Sequence, residues 1–264
     1  MKLTVLVDNF SKSDSCLISE HGLSFFIKEE KVNVLFDCGS TDVFIKNAYN
    51  MQIDLTKVTD IILSHGHSDH IGGFSRLFSL YEQFSKSGVT FNPKKVIAHP
   101  GVFSFESENY NNEIKMLSQK ELDNFFNLIF TTEPKFITKK LVFLGEIPVT
   151  YGKVMRDYTP DETALAYKSK KGLVIFSGCS HSGVKNIVEH AKHITGEKKV
   201  DSIVGGLYLI NRSEDYINEL GKYLEEQQIQ HIYPCHCTDV EAKAILSNYT
   251  KIEEICTGTE INWD

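Results

Sequence analysis

The chain has 264 residues, of which 24% are charged and 41% hydrophobic, and a formal net charge of −7. That length can bury a sizeable core, so residues 1–264 read as one large domain. The acidic balance leaves no basic surplus to displace counterions, which argues against a nucleic-acid backbone as the main partner. No apolar run approaches the ~20 residues of a membrane span.

Residues 3–7 read as a first strand. They do not read as a secretory leader, because Asp8 and Asn9 end the apolar run too early. Residues 22–28 and 32–36 form two more strands, with a turn at Glu29-Glu30-Lys31. Asp37-Cys38-Gly39-Ser40 ends the second, and Asp42 to Asn50 has the look of a short helix. The next segment, Val58-Thr59-Asp60-Ile61-Ile62-Leu63, is short, apolar and β-branched, as a buried strand is. It runs into Ser64-His65-Gly66-His67-Ser68-Asp69-His70, where three imidazoles and one carboxylate fall within six positions. Phe74, Leu77, Phe78, Tyr81 and Phe84 then follow at helical spacing. The polar cluster therefore sits on a strand-to-helix loop, where α/β proteins place their ligands. His65 and His67 can point one way from an extended loop while Asp69 and His70 turn toward a second point. That arrangement suits two metal ions, and imidazole with carboxylate suits zinc, manganese or iron.

Lys95–Ala98 reads as a strand that ends at His99-Pro100, which makes His99 a pocket candidate or a histidine packed at a strand end. Residues 101–135 are irregular and read as an insertion covering the active site. Phe103, Phe105, Tyr110, Phe125, Phe126 and Phe130 are interleaved there with polar residues. Residues 113–130 carry a helical pattern through Ile114, Leu117, Leu122, Phe125 and Phe126. These aromatics can stack on a ring substrate or form a satellite core.

From residue 136 the chain is β-rich again, with strands expected at 136–137, 141–144 and 147–149 and a hairpin of 163–167 with 172–176. The second polar loop, Ser177-Gly178-Cys179-Ser180-His181-Ser182-Gly183, again follows an apolar strand and precedes a helix, here from Val184. The repeat of strand, ligand loop and helix implies two similar halves. His181 is a fifth ligand candidate. Cys179 is a soft-ligand candidate or a small buried residue. His190 and His193, on the helix, read as solvated. Residues 200–206 form a strand with a glycine-rich end that lacks dinucleotide-binding spacing. Residues 214–228 form an amphipathic helix. Ile232-Tyr233-Pro234 then delivers Cys235-His236-Cys237 to a third loop, and Asp239 caps a helix through about Tyr249. Three consecutive side chains do not readily converge on one ion, so His236 alone is the sixth ligand candidate. Cys256–Thr259 is expected as a closing strand. The six cysteines include no Cys-x-x-Cys pair, which points to free thiols in a reducing cytoplasm.

His-Gly-His-Ser-Asp-His at 65–70 after a strand resembles the signature of the metallo-β-lactamase superfamily. Together with Gly-Cys-Ser-His-Ser-Gly at 178–183 and Pro-Cys-His-Cys at 234–237, nearly the whole chain resembles one branch of it. That branch is the dihydropterin-ribofuranosylaminobenzene-phosphate synthase-like group of the methanopterin pathway. The resemblance implies an α/β fold, an αββα sandwich of two mixed β-sheets flanked by helices. By position it implies one metal on His65, His67 and His181 and the other on Asp69, His70 and His236. Asp37 would lie beneath the metal loop and orient a ligand, and His21, in a Glu-His-Gly that a relative also carries, would be a pocket residue. Two departures stand out. Gly178-Cys179 occupies the place of the superfamily's bridging Gly-Asp, and Tyr208 the place of a histidine that often follows Gly-Gly-aromatic.

The expected chemistry is metal-dependent hydrolysis of a small-molecule ester, lactone or phosphoester. Two divalent ions, zinc in the first instance, would supply a hydroxide, with Asp69 as both ligand and proton acceptor. The branch name implies instead a transfer that displaces pyrophosphate from a pterin. A non-catalytic metal-dependent sensor and a di-iron redox protein are the rivals from other classes. The redox use normally brings a carboxylate in place of a metal-loop histidine and a flavin domain, and the chain carries neither. The sequence specifies neither substrate nor oligomeric state.

Overall fold

Apolar, β-branched runs bounded by Gly, Asp and Ser turns build the strands, and amphipathic runs between them build the helices. The computed structural model describes residues 1–103, 119–152 and 158–264. They form two compact units, Met1–Thr131 with Cys256–Trp263, and Thr132–Ile255 with Asp264.

The first unit holds a seven-stranded mixed sheet of β1 (Lys2–Val7), β2 (Ser24–Glu29), β3 (Val32–Phe36), β4 (Asp60–Ile62), β5 (Lys94–Ala98), β6 (Phe126–Phe130) and β14 (Glu260–Asn262), in the order β14-β1-β2-β3-β4-β5-β6. The strands from β14 to β3 are antiparallel neighbours, and those from β3 to β6 are parallel. Its helices are α1 (Val43–Asn50), the single turn α2 (Ser68–Ile71), α3 (Phe74–Lys86) and the short α4 (Gln119–Leu122). Phe74, Leu77, Phe78 and Tyr81 recur at helical spacing on α3 and are buried in a cluster with Leu35, Ile61 and Val96 of the sheet and Phe44 of α1. A fully buried side chain of this size contributes about 1.5–3 kcal/mol. Tyr81, wholly buried, donates its hydroxyl to the Leu55 carbonyl at 3.0 Å, so its polar end is satisfied.

The second unit repeats the plan with β7 (Lys135–Phe136), β8 (Leu141–Phe143), β9 (Ala164–Ser169), β10 (Gly172–Ser177), β11 (Val200–Gly206), β12 (His231–Cys235) and β13 (Lys251–Ile252), ordered β13-β12-β11-β10-β9-β8-β7. Here the strands from β13 to β10 are parallel and those from β10 to β7 antiparallel. Helices α5 (Val184–Thr195), α6 (Glu214–Glu226) and α7 (Val240–Leu246) follow β10, β11 and β12 in sequence. Ile187, Val188, Ala191, Ile217 and Leu224 cluster with Leu173, Ile203 and Ile232 of the sheet. Asp239 caps α7 as its sequence predicts, accepting the Ala242 amide at 2.8 Å. Ser213 does the same for α6 through the Tyr216 amide. The fold is thus α/β, with two mixed sheets flanked by helices.

Four local expectations are corrected. The helical pattern over 113–130 ends early, because Phe126–Phe130 is a strand paired in parallel with β5. Phe125 and Phe126 pack on Phe78 and Phe74, so within the first unit these rings are core. Phe105, Tyr110, Ile114 and Leu117 lie outside the described residues. Ile147-Pro148-Val149 is loop, since proline withholds a ladder donor. The closing strand is Glu260–Asn262; Cys256–Thr259 before it is a turn in which Gly258 has φ +90°. His190 is half-buried and Nε2-bonded to the Leu144 carbonyl at 2.9 Å, and burial pulls its pKa down; His193 is exposed as expected.

Candidate metal centre

In the first unit, two parallel strands deliver the polar residues. Asp37 leaves β3 with φ +59°, a left-handed conformation that is uncommon for a non-glycine residue. Its wholly buried carboxylate gathers the next loop beneath it. Oδ1 accepts the Ser64 amide at 2.7 Å, and Oδ2 accepts the Ser64 hydroxyl at 2.7 Å. Oδ2 is also 2.7 Å from His70 Nδ1. Ser64 Oγ in turn lies 2.9 Å from His65 Nδ1. Both contacts need a proton on Nδ1, so the network assigns that tautomer to His65 and His70 and leaves Nε2 as the lone-pair atom.

His65 Nε2 lies 3.1 Å from His67 Nδ1. His70 Nε2 lies 3.8 Å from Asp69 Oδ2. Two donors sharing one tetrahedral ion at 2.0–2.1 Å stand about 3.3 Å apart. The donor set and its spacing therefore fit metal ligation, and the Asp37 contact is the carboxylate–histidine support that such ligands carry. His21, mostly exposed, places Nε2 3.3 Å from Asp69 Oδ2, and that hydrogen bond raises its pKa. The backbone closes around the loop: the Leu23 amide donates to the Asp69 carbonyl and the Cys38 amide to the His70 carbonyl. A side chain at Gly22 would meet the Asp69 carbonyl at 2.7 Å, and one at Gly72 would meet the Ser40 and Ser68 carbonyls, so both positions require glycine. His99 is half-buried after β5, where its Nδ1 accepts the Gly101 amide at 3.0 Å.

In the second unit, three adjacent parallel strands end at polar loops. Glu162 was not identified from sequence. It is buried just before β9, and its two carboxylate oxygens accept the His181 and Ser182 amides at 2.6 Å each. Burial pushes its pKa up, and these amide bonds pull against the shift. The only sequence cue is an acidic pair, Asp161-Glu162, directly before a buried strand. His181 is buried, and its ring lies 4.3 Å from that of Tyr208. Tyr208 has φ +54°; its carbonyl accepts Arg212 Nε at 3.2 Å, and the Arg212 guanidinium lies 4.5 Å over its ring. His236 is buried with φ +51°, and one of its ring nitrogens lies within 4.8 Å of Cys179 Sγ. The second unit thus brings together His181 with Tyr208, and Cys179 with His236.

These features have counterparts among known proteins. A model of the metallo-β-lactamase superfamily matches residues 19–82, which contain His21, Asp37 and the whole loop from His65 to His70. The 7,8-dihydropterin-6-methyl-4-(β-D-ribofuranosyl)-aminobenzene-5′-phosphate synthase of Methanocaldococcus jannaschii is 30% identical, over 92% of this chain and 89% of that protein. Tm1679, solved as a metal-dependent hydrolase of the β-lactamase superfamily, is 29% identical with a TM-score of 0.78, over 99% of this chain and 98% of that one. The metallo-β-lactamase fold protein YhfI of Bacillus subtilis shares the fold at 14% identity, with a TM-score of 0.65 and 98% of each chain covered. The chain belongs to the metallo-β-lactamase superfamily. Within it, the resemblance to the dihydropterin synthase-like branch extends over nearly its full length.

Proposed function

We propose that this chain is a metal-dependent hydrolase of a small-molecule ester, lactone or phosphoester. The observation that carries the reading is the Asp37–Ser64–His65 and Asp37–His70 network, which presets two imidazoles with the proton on Nδ1 and the lone pair on Nε2. Family position divides the ligands as His65, His67 and His181 for one ion and Asp69, His70 and His236 for the other. Zinc is the first candidate, and manganese or iron the alternatives. Bound there, such ions lower the pKa of water toward ~7 and polarise a carbonyl or phosphoryl group. Asp69 takes the proton at a carboxylate oxygen, while the His21 contact fixes the orientation of that oxygen. Cys179 stands where a bridging carboxylate is usual and is a further donor. His99 and Tyr208 are pocket residues. The whole chain acts as one domain in the cytoplasm, with no nucleic-acid or membrane partner. No helix among the described residues is long and apolar enough to cross a membrane.

A second reading, transfer with release of pyrophosphate, is favoured by the 30% identity to the dihydropterin synthase. Protein purified without added metal should carry about two zinc, manganese or iron ions per chain. Chelation should abolish hydrolysis of a nitrophenyl ester, a lactone and a nitrophenyl phosphodiester, and metal should restore it. A protein that binds no metal on addition would overturn both readings. Metal-dependent pyrophosphate release without hydrolysis would select the second, and ligation without any turnover would make the chain a binding protein.

A further inference from the structure

We infer that Cys179 and Cys237 form an oxidisable dithiol, at which a peroxide closes a reversible disulfide between two loops of the second unit. Cys179 lies in the loop between β10 and α5, two residues before His181. Cys237 lies in the loop between β12 and α7, directly after His236. None of the six cysteines is disulfide-bonded. Yet the Cys179 and Cys237 sulfurs stand 2.8 Å apart, closer than the roughly 3.5–4.0 Å of ordinary non-bonded contact.

The approach is built into the backbone. Cys237 Sγ is 3.3 Å from the Cys179 carbonyl oxygen and accepts the Tyr208 amide at 3.2 Å. A side chain at Gly206, at the end of the intervening strand β11, would meet Cys237 Sγ at 2.6 Å and Cys179 Cα at 3.1 Å. Glycine there lets the two loops close over the strand end with sulfur against sulfur. Both thiols are buried, at 4% and 6% exposure, which favours a small oxidant over a bulky one.

The reaction balances with hydrogen peroxide as the oxidant. The two thiols give up two electrons and two protons, and the S–S bond forms. The peroxide O–O bond breaks, and two waters leave. A dithiol reductant reverses the step by exchange. The disulfide would join residues 58 positions apart. It would also remove the Cys179 thiol as a donor beside His236; that consequence alone rests on the proposed metal reading.

The test uses the full chain, once with chelator and once zinc-loaded, treated with equimolar hydrogen peroxide, then denatured, alkylated and weighed. In the chelated sample alkylatable thiols should fall from six to four. The mass should fall by about 2 Da before alkylation, and dithiothreitol should reverse both changes. Peptide mapping should join the segments holding Cys179 and Cys237. Cys179→Ser and Cys237→Ser variants should form no such link. Six thiols remaining, oxygen adducts in place of a bridge, or a link between other cysteines would overturn the inference. A mapped bridge in a protein that binds no metal would leave it standing while removing the hydrolase reading. Unchanged thiols in a metal-dependent hydrolase would do the reverse.

Discussion

Asp37→Ala should lower metal affinity by about 10–100-fold, the usual cost of removing a group that orients ligands. It should also destabilise the fold by about 3–5 kcal/mol, as leaving several buried donors without an acceptor does at about 1–3 kcal/mol each. The physical reason is the number of groups that converge on one carboxylate. The Ser64 amide, the Ser64 hydroxyl and His70 Nδ1 all meet it at 2.7 Å, and His65 hangs on the same hydroxyl. Alanine leaves each buried donor without an acceptor and frees two imidazoles to change tautomer. Asp37→Asn is the control. Asparagine tolerates the left-handed backbone at φ +59° but offers one acceptor oxygen where the carboxylate offers two, so its effect should fall between wild type and alanine. The measurements are competitive metal titration and urea unfolding. Wild-type affinity and stability in the alanine variant would show that Asp37 is an ordinary turn residue.

Glu162→Ala should cost about 2–6 kcal/mol, because two buried amides lose their acceptor at about 1–3 kcal/mol each. Those amides belong to His181 and Ser182, so the loop that carries His181 loses its anchor while the His65–His70 loop keeps its own. On the proposed two-ion reading, metal content should therefore drop by about one ion per chain while the other is retained. Elemental analysis alongside chemical denaturation distinguishes this from general unfolding, which would release both ions together. Glu162→Gln should rescue in part, since the amide oxygen still accepts one of the two bonds. Full metal content in Glu162→Ala at reduced stability would confine the residue to holding the fold.

Much of this architecture is legible in the sequence where period and punctuation agree. The apolar strand, polar loop and amphipathic helix occur around residues 58–84 and again around 172–191, and each sheet uses its repeat in the same way, at the end of a parallel strand. Asp37 is singled out only through the family resemblance, in which an Asp-x-Gly lies beneath the metal loop; the local residues alone read equally as a turn. Glu162 is not legible, because its partners are main-chain amides 19 and 20 residues away, which leave no mark on composition or spacing. The misreading near residue 126 has a different cause. Leu122, Phe125 and Phe126 fit a helical period, but pairing with β5 outweighs that local preference. Likewise Thr257-Gly258-Thr259 has strand-forming threonines around a glycine whose left-handed φ makes it a turn.

The pairing of β1 with β14 has a consequence for biosynthesis. Residues 2–4 find their antiparallel neighbours at 260–262, whereas every described residue of the second sheet lies within the stretch 132–255. A ribosome delivering the chain in order therefore releases all the strands of the second sheet before the first sheet has its last one. Until residues 260–262 emerge, β1 carries a bare hydrogen-bonding edge on one side, the kind of surface that recruits foreign strands and chaperones. Nascent chains stalled before that point should be the aggregation-prone species of this protein, even though the His65–His70 loop of the first unit has long since left the tunnel.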